Sequence, residues 1–382
     1  MIDIENMSIL VVDDIKSMRM TIRKMLRNLR IGRELRVAEN GRKALEELRS
    51  KPTDLVIVDW NMPVMNGTQM LEELRKDKNL RDIPVIMVTA ENERDIVSEV
   101  AEVEIGAYLL KPLTLAALDD KIRSVVNAAN NPDDATVHLL KARDLEESND
   151  FKGAIDEVRK ALVFKPSASR ILRKMGMLHF NVDKPQIGEK CLQKAVSVNR
   201  QDTISRFHLA EHYMNRKELE KAANLYLEIL TLSDRYSEMA VELGARLMKK
   251  GSRSVALRLF SEVAARSAKR ANLKDKILKI CMDREEYDYS KQLLDEMIRD
   301  NPSNSEVVFK AGETLVKMGE EEKALEYFEA VDEMNGGDVP AKIEMAKICF
   351  HIGQLYKADD YLSQILKIDP DNKDVKELRR EV

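Results

Sequence analysis

Leu55-Val56-Ile57-Val58-Asp59 is a run of four apolar residues that ends on a carboxylate, and Ile9-Leu10-Val11-Val12-Asp13-Asp14 has the same form. A strand with one face in water alternates polar and apolar residues. A run without alternation suits a strand covered on both faces, as in a parallel sheet between helices. By the same pattern, strands are expected at 8–13, 35–38, 54–59, 83–88 and 107–110, with helices near 16–30, 41–50, 68–77, 93–105 and 114–128. Five such βα units imply a doubly wound α/β domain built on a five-stranded parallel sheet.

In an open parallel sheet the carboxyl ends of the strands share one edge, and ligands bind there. Asp13 and Asp14 end the first strand, Asp59 ends the third, Thr89 follows the fourth and Lys111 follows the fifth. Three carboxylates close together repel and need a counter-ion, and hard oxygen ligands suit Mg²⁺. An Asp beside a divalent cation can attack a phosphoryl group and form an aspartyl phosphate. Lys111 can then neutralise a phosphoryl oxygen, and the Thr89 hydroxyl can bond another.

After Asn127 the pattern changes. Asn130-Asn131-Pro132-Asp133-Asp134 is polar and holds a helix breaker, so 129–134 reads as a linker after a first domain over 1–128. From Ala135 onward only helical periodicity remains, and it repeats every 34 residues, seven units filling 135–372. Position 20 of the unit is Ala154, Gly188, Ala222, Ala256, Ser290, Ala324 and Ala358, all small. Position 24 is Val158, Leu192, Tyr226, Phe260, Leu294, Phe328 and Leu362, all large and apolar. Position 8 is small except at Leu278. Small residues at 8 and 20 let the two helices of a hairpin approach, and the large residue at 24 fills the gap. Gly251, Gly319 and Gly353 share position 15, where a turn can use positive φ. Pro166, Pro302 and Pro370 share position 32, where the second helix should stop. Residues 373–382 are expected to form a polar capping helix, which repeat arrays require.

The second region resembles tetratricopeptide (TPR) repeats, which implies an all-α solenoid of helical hairpins. It departs from the family at position 4, where Leu172, Ala240 and Val308 stand in place of Trp. The fifth unit, with Leu278 and Ser290 at the small positions, departs most. In the first region, Val11-Val12-Asp13-Asp14, Asp59-Trp60-Asn61-Met62-Pro63, Val88-Thr89-Ala90-Glu91 and Lys111-Pro112 resemble the motifs of a CheY-type response-regulator receiver domain. That resemblance implies a flavodoxin-like fold and Asp59 as phosphoacceptor from a histidine kinase or phosphotransfer protein. It implies Asp13, Asp14, Asp59 and the main-chain carbonyl of Asn61 as Mg²⁺ ligands, and Thr89 and Tyr108 as a switch pair. It also implies that Asn61 and Glu91 tune hydrolysis, so the domain is a phosphoacceptor with weak self-dephosphorylation rather than an enzyme.

Composition narrows the setting. Lys and Arg number 63 against 67 Asp and Glu, a net charge of −4, which does not favour a generic nucleic-acid or anionic-membrane binder. No apolar run approaches membrane-spanning length, and the N-terminus has no basic stretch of a signal peptide. Three scattered cysteines, Cys191, Cys281 and Cys349, do not make a disulfide framework, so a reducing cytoplasm is expected. His208 and His212 lie four apart on one helical face, but two ligands do not make a zinc site. The segment 16–36 is basic through Lys16, Arg19, Arg23, Lys24, Arg27, Arg30, Arg33 and Arg36. It reads as a solvated face or as a docking patch for a phosphotransfer domain.

Output is expected through the repeats, whose first helices should line a concave groove. Arg170, Arg173, Met177, Phe180, Asn181, Phe207, Glu211, Met214 and Asn215 are its candidate residues, apolar anchors among Arg and Asn that suit an unidentified protein or peptide. Some of these side chains are equally suited to inter-helix packing. With so short a linker, phosphorylation is expected to change how the face around 91–128 packs on the first repeats. Two other readings stay open: a constitutive repeat scaffold that the receiver only localises or dimerises, and a phosphate sink for a shared kinase. A homodimer stays open as well.

Overall fold

A computed structural model of the chain describes residues 1–90, 107–266 and 271–378. The described contacts divide the chain into two compact units, Met1–His212 and Tyr213–Val382. The expected helix over 93–105 lies outside the described residues.

The first unit opens on strands β1 (Ser8–Val12), β2 (Glu34–Ala38), β3 (Leu55–Asp59), β4 (Val85–Thr89) and β5 (Ala107–Leu110). They form one parallel sheet in the order β2-β1-β3-β4-β5. Helices α1 (Lys16–Leu29), α2 (Gly41–Ser50), α3 (Gly67–Lys76) and α4 (Leu115–Asn130) cover its faces. Successive strand residues point to opposite faces. Leu10, Val12, Val56, Val58 and Met87 therefore pack with residues of α2 and α3, among them Leu45 and Met70. Ile9, Val11, Leu55, Ile57, Ile86 and Val88 pack with Ile22 and Leu26 of α1 and Leu118 and Ile122 of α4. The unbroken apolar runs are the signature of these two cores. β4 begins at Val85, two residues later than expected, because Pro84 has no N–H to give the ladder and the Ile83 N–H is spent on the Leu80 carbonyl.

Helix α4 continues through Asn130, whose side chain binds the main chain of Ile2 in both directions: it accepts from the Ile2 N–H (2.6 Å) and donates to the Ile2 carbonyl (2.8 Å). Asp133 then caps α5 (Asp134–Glu147) by accepting from the Thr136 N–H at 2.8 Å. The unit continues with α6 (Phe151–Phe164), α7 (Ser169–Asn181), α8 (Pro185–Val198) and α9 (Thr203–Asn215), the last reaching into the second unit.

The 34-residue period is visible in the helix starts. The second helices of the hairpins begin at Phe151, Pro185, Leu219, Arg253, Tyr287, Glu321 and Leu355, always at position 17. Position 15 has positive φ in every unit: at Gly251, Gly319 and Gly353, and also at Asn149, Asp183, Lys217 and Glu285. The small positions do what their spacing implied. A Cβ on Gly312 would sit 2.8 Å from the Phe328 ring, and one on Gly176 would sit 3.0 Å from Leu192 Cγ. In the irregular fifth unit Leu278 is buried, and the buried Ser290 hydroxyl donates to the Glu286 carbonyl at 2.8 Å. That hydroxyl is satisfied inside its own helix and costs the core little.

Candidate functional site

Four strand ends, those of β1, β3, β4 and β5, converge at the carboxyl edge of the sheet. At the end of β1, Asp13 is buried; its N–H donates to the Ala38 carbonyl (3.3 Å), and its Oδ1 accepts from the Ile15 N–H (2.8 Å). Arg19 of α1 reaches back and donates to the main-chain carbonyls of Asp13 (2.5 Å) and Asp14 (2.9 Å), which fixes the turn that carries both acids. At the end of β3, Asp59 is only 6% exposed. The loop after it is pinned on both sides: the Trp60 N–H donates to the Val88 carbonyl (2.8 Å), and the Gly67 N–H donates to the Trp60 carbonyl (2.9 Å). A side chain at Gly67 would collide with the Asp59 carbonyl and with Met87. Asn66 and Gln69 form a reciprocal cap that starts α3 at this point.

Lys111 follows β5, and its N–H donates to the Thr89 carbonyl at 2.8 Å. Its ammonium lies 2.5 Å from Asp59 Oδ1 and 3.3 Å from Asp13 Oδ2. Thr89 is buried at the end of β4. Tyr108 is half-buried on β5 opposite Met87, with the Lys121 ammonium 5.8 Å from its ring centre. Asp14 and Asn61 are exposed at the rim of this edge, and Glu91 lies outside the described residues.

Burial pushes the Asp59 carboxyl above the ordinary aspartate range. The Lys111 contact pulls the other way and does not cancel it, and the charges of Asp13 and Asp14 add to the rise. Burial also opposes the charge on Lys111, but the hydrogen bond to Asp59 and the fields of Asp59 and Asp13 outweigh it and lift the ammonium above the ordinary lysine range. Two buried carboxylates thus share one ammonium, with a third acid nearby. As the side chains stand, no three His, Cys, Asp or Glu residues among the described residues are grouped to hold an ion. The donor set nonetheless fits a hard divalent cation: it is all oxygen, it has negative charge in excess, and Asp14 is at the rim.

The chain is similar to known proteins over this first domain. Residues 9–123 match the response regulator receiver domain. The chemotaxis protein CheY-3 of Vibrio cholerae is 38% identical over 121 residues, 32% of this chain and 92% of that protein. The chain belongs to the response regulator receiver family. CheY of Pseudomonas aeruginosa is 40% identical to this receiver over 124 residues, 32% of this chain and 99% of the relative. Among solved structures, CheY4 of Vibrio cholerae is 29% identical, covering 31% of this chain and 98% of its own, with a TM-score of 0.30. Beyond the receiver, residues 173–237 and 315–382 match tetratricopeptide repeats.

The groove residues expected on the repeats are placed unevenly. Arg170, Arg173 and Met177 line a cavity in the first unit. Phe180 packs where a Gly188 side chain would be and stacks on His212, ring centres 4.9 Å apart. Arg173 binds the buried Asp202 at 2.7 Å. Phe207 is half-buried beside the His208 ring, while Asn181 and Glu211 are exposed. Met214 is half-buried and Asn215 exposed in the second unit. Cys281 and Cys349 are buried, and burial raises the Cys281 thiol to about 12. Two residues that shape the receiver edge were not singled out by motif reading: Arg19, counted only as part of a basic run, and Gly67. The signal for Gly67 was available in Asn66-Gly67-Thr68-Gln69, a helix-start pattern.

Among the described residues no helix is long and apolar enough to cross a membrane.

Proposed function

We propose that this chain works in a two-component phosphorelay, with Asp59 accepting a phosphoryl group from a histidine kinase or phosphotransfer protein and the repeats carrying the output by binding protein. The observation that carries the reading is the buried Asp59 carboxylate, held 2.5 Å from the Lys111 ammonium and beside Asp13. One Asp59 oxygen attacks phosphorus, a new O–P bond forms, and the bond to the donor nitrogen breaks, leaving its electron pair on the donor imidazole. Lys111 moves from compensating the carboxylate to compensating phosphoryl oxygens. The Thr89 hydroxyl is the second donor, and its displacement toward the new oxygens is the movement to which Tyr108 responds. Asp13, Asp14, Asp59 and the Asn61 carbonyl are the groups that would hold Mg²⁺, which when bound supplies positive charge to the transferring group. The reading is of a phosphoacceptor, not a turnover enzyme.

The test is incorporation of a single phosphoryl group from acetyl phosphate with Mg²⁺, followed by intact mass. Wild type is expected to gain it, and Asp59→Asn is expected not to. Labelling that survives in Asp59→Asn would place the acceptor elsewhere.

A second reading, the constitutive scaffold, is favoured by one observation. Lys78 and Arg81 bind Glu147, and Arg143 binds Asp82, so the first repeat is tied to the loop before β4. Thr89 is at the other end of that strand, about 13 Å away at the usual rise. Equal affinity of wild type and Asp59→Ala for a repeat-bound partner would favour the scaffold.

A further inference from the structure

A cavity of about 520 Å³ opens in the first unit between the receiver and the first repeats. The end of α3 and the following loop give it Arg75, Arg81 and Asp82, while α5, α7 and α9 give it the rest. Six cations line it (Arg75, Arg81, Arg143, Arg170, Arg173 and Lys174), and Asp82 is the one carboxylate in the lining. Leu139, Leu140, Ile171 and Met177 supply an apolar floor. The volume lies in the range of built ligand sites and takes a few side chains.

The way these cations are held points to carboxylates. Arg143 forks onto Asp82 with two nitrogens, at 2.6 and 3.1 Å. Arg81 binds Glu147, Lys174 binds Glu146, and Arg173 binds Asp202. A guanidinium has five donors in a planar fork, and one carboxylate uses at most two. Arg81, Arg143 and Arg173 are thus already oriented by carboxylates of the chain and keep donors for more, while Arg75 donates to the main-chain carbonyls of Arg81 (2.7 Å) and Ile83 (3.0 Å). No Phe, Tyr or Trp lines the cavity, so it offers no platform on which bases would stack, and Asp82 opposes a continuous phosphate backbone.

We infer that this cleft docks an acidic peptide segment of a partner protein, with Asp and Glu side chains on the cations of both walls and an apolar side chain on the floor. The inference rests on the reading of the repeats as protein-binding, and it narrows that reading to one surface and one peptide chemistry. The receiver supplies part of the wall, so the site exists only where the first repeat and the receiver are joined.

The test is selection of phage-displayed random peptides on the full-length chain, then fluorescence anisotropy with the selected peptides. Peptides rich in Asp and Glu with an apolar residue are expected. Their Kd should rise about tenfold in Arg170→Glu, at an exposed position, and also in Arg81→Gln. It should rise too when salt goes from about 50 to about 500 mM. Arg200→Glu, an exposed charge reversal outside the cleft, should leave it unchanged. Peptides that bind with equal affinity to Arg170→Glu would overturn the inference while leaving protein binding by the repeats intact on another surface. Selection of no peptide at all would sink both. Pyrophosphate that displaces the peptide at lower concentration than the peptide's own Kd would reassign the cleft to phosphate ligands.

Discussion

At Asp59 the site charges the fold for its chemistry. A folded-state pKa raised above the unfolded value means the native protein holds more protons between the two, so stability falls as pH rises through that window. The ionised carboxylate is therefore a liability at neutral pH. Asp59→Asn should melt at a higher temperature than wild type at pH 7, and the gap should close as pH falls below the unfolded aspartate value. An unchanged or lower Tm would refute the burial argument. Lys111→Gln should act in the opposite direction and lower stability by about 2 kcal/mol, because it leaves Asp13 and Asp59 facing each other without their shared ammonium. Trp60, the single tryptophan, is buried next to Asp59 and bonded through its N–H to Val88. Its emission should shift on addition of Mg²⁺ with beryllofluoride, and an unresponsive Trp60 would count against an assembled site. The members of this site were legible one by one, because each ends a strand whose apolar run is easily recognised. Their pairing was not, since nothing in the spacing of Asp13, Asp59 and Lys111 says which acid the ammonium will meet.

At the scale of elements, periodicity carried most of the information. Sizes at positions 8, 20 and 24 announced helix contacts that the structure contains, such as Gly312 against Phe328 and Gly176 against Leu192. Gly312→Ala should therefore cost about 1–3 kcal/mol, read by chemical denaturation. The turn between the helices was only partly legible. Glycine marked it in three units, but Lys217 and Glu285 adopt the same left-handed backbone, at φ 62° and 58°, with no residue-level sign of it. A side chain there is strained against its own carbonyl, by roughly 1 kcal/mol. Lys217→Gly and Glu285→Gly should each stabilise the chain by about that amount, and destabilisation by either would mean that the side chain does something the turn needs. The start of β4 was misplaced for a simpler reason: Ile83 and Pro84 look like strand residues by apolarity, but one lacks an N–H and the other has spent its own.

Across the first unit, the joining of receiver and repeat was not legible at all. The expected contact face, around 91–128, lies in part (91–106) outside the described residues. The described ion pairs run from Lys78, Arg81 and Asp82 to Arg143 and Glu147. Contacts between charged surface residues some sixty positions apart leave no periodic trace, and exposed pairs are each worth under about 1 kcal/mol, so pattern and energy are both silent. Reversing Arg143 to Glu should loosen this junction and speed proteolytic cleavage near Asn131, while Asp82→Arg in the same chain should restore protection. Failure of the second change to rescue the first would mean that the pair does not hold the junction.

The seven hairpin turns have a practical side. A side chain built onto Gly251, Gly319 or Gly353 would meet nothing within 4 Å. These three corners face open solvent at intervals set by the repeat, which makes them graduated attachment points. A short epitope or a dye-bearing loop inserted there, one corner at a time, would mark the fourth, sixth and seventh hairpins of the array without entering its core.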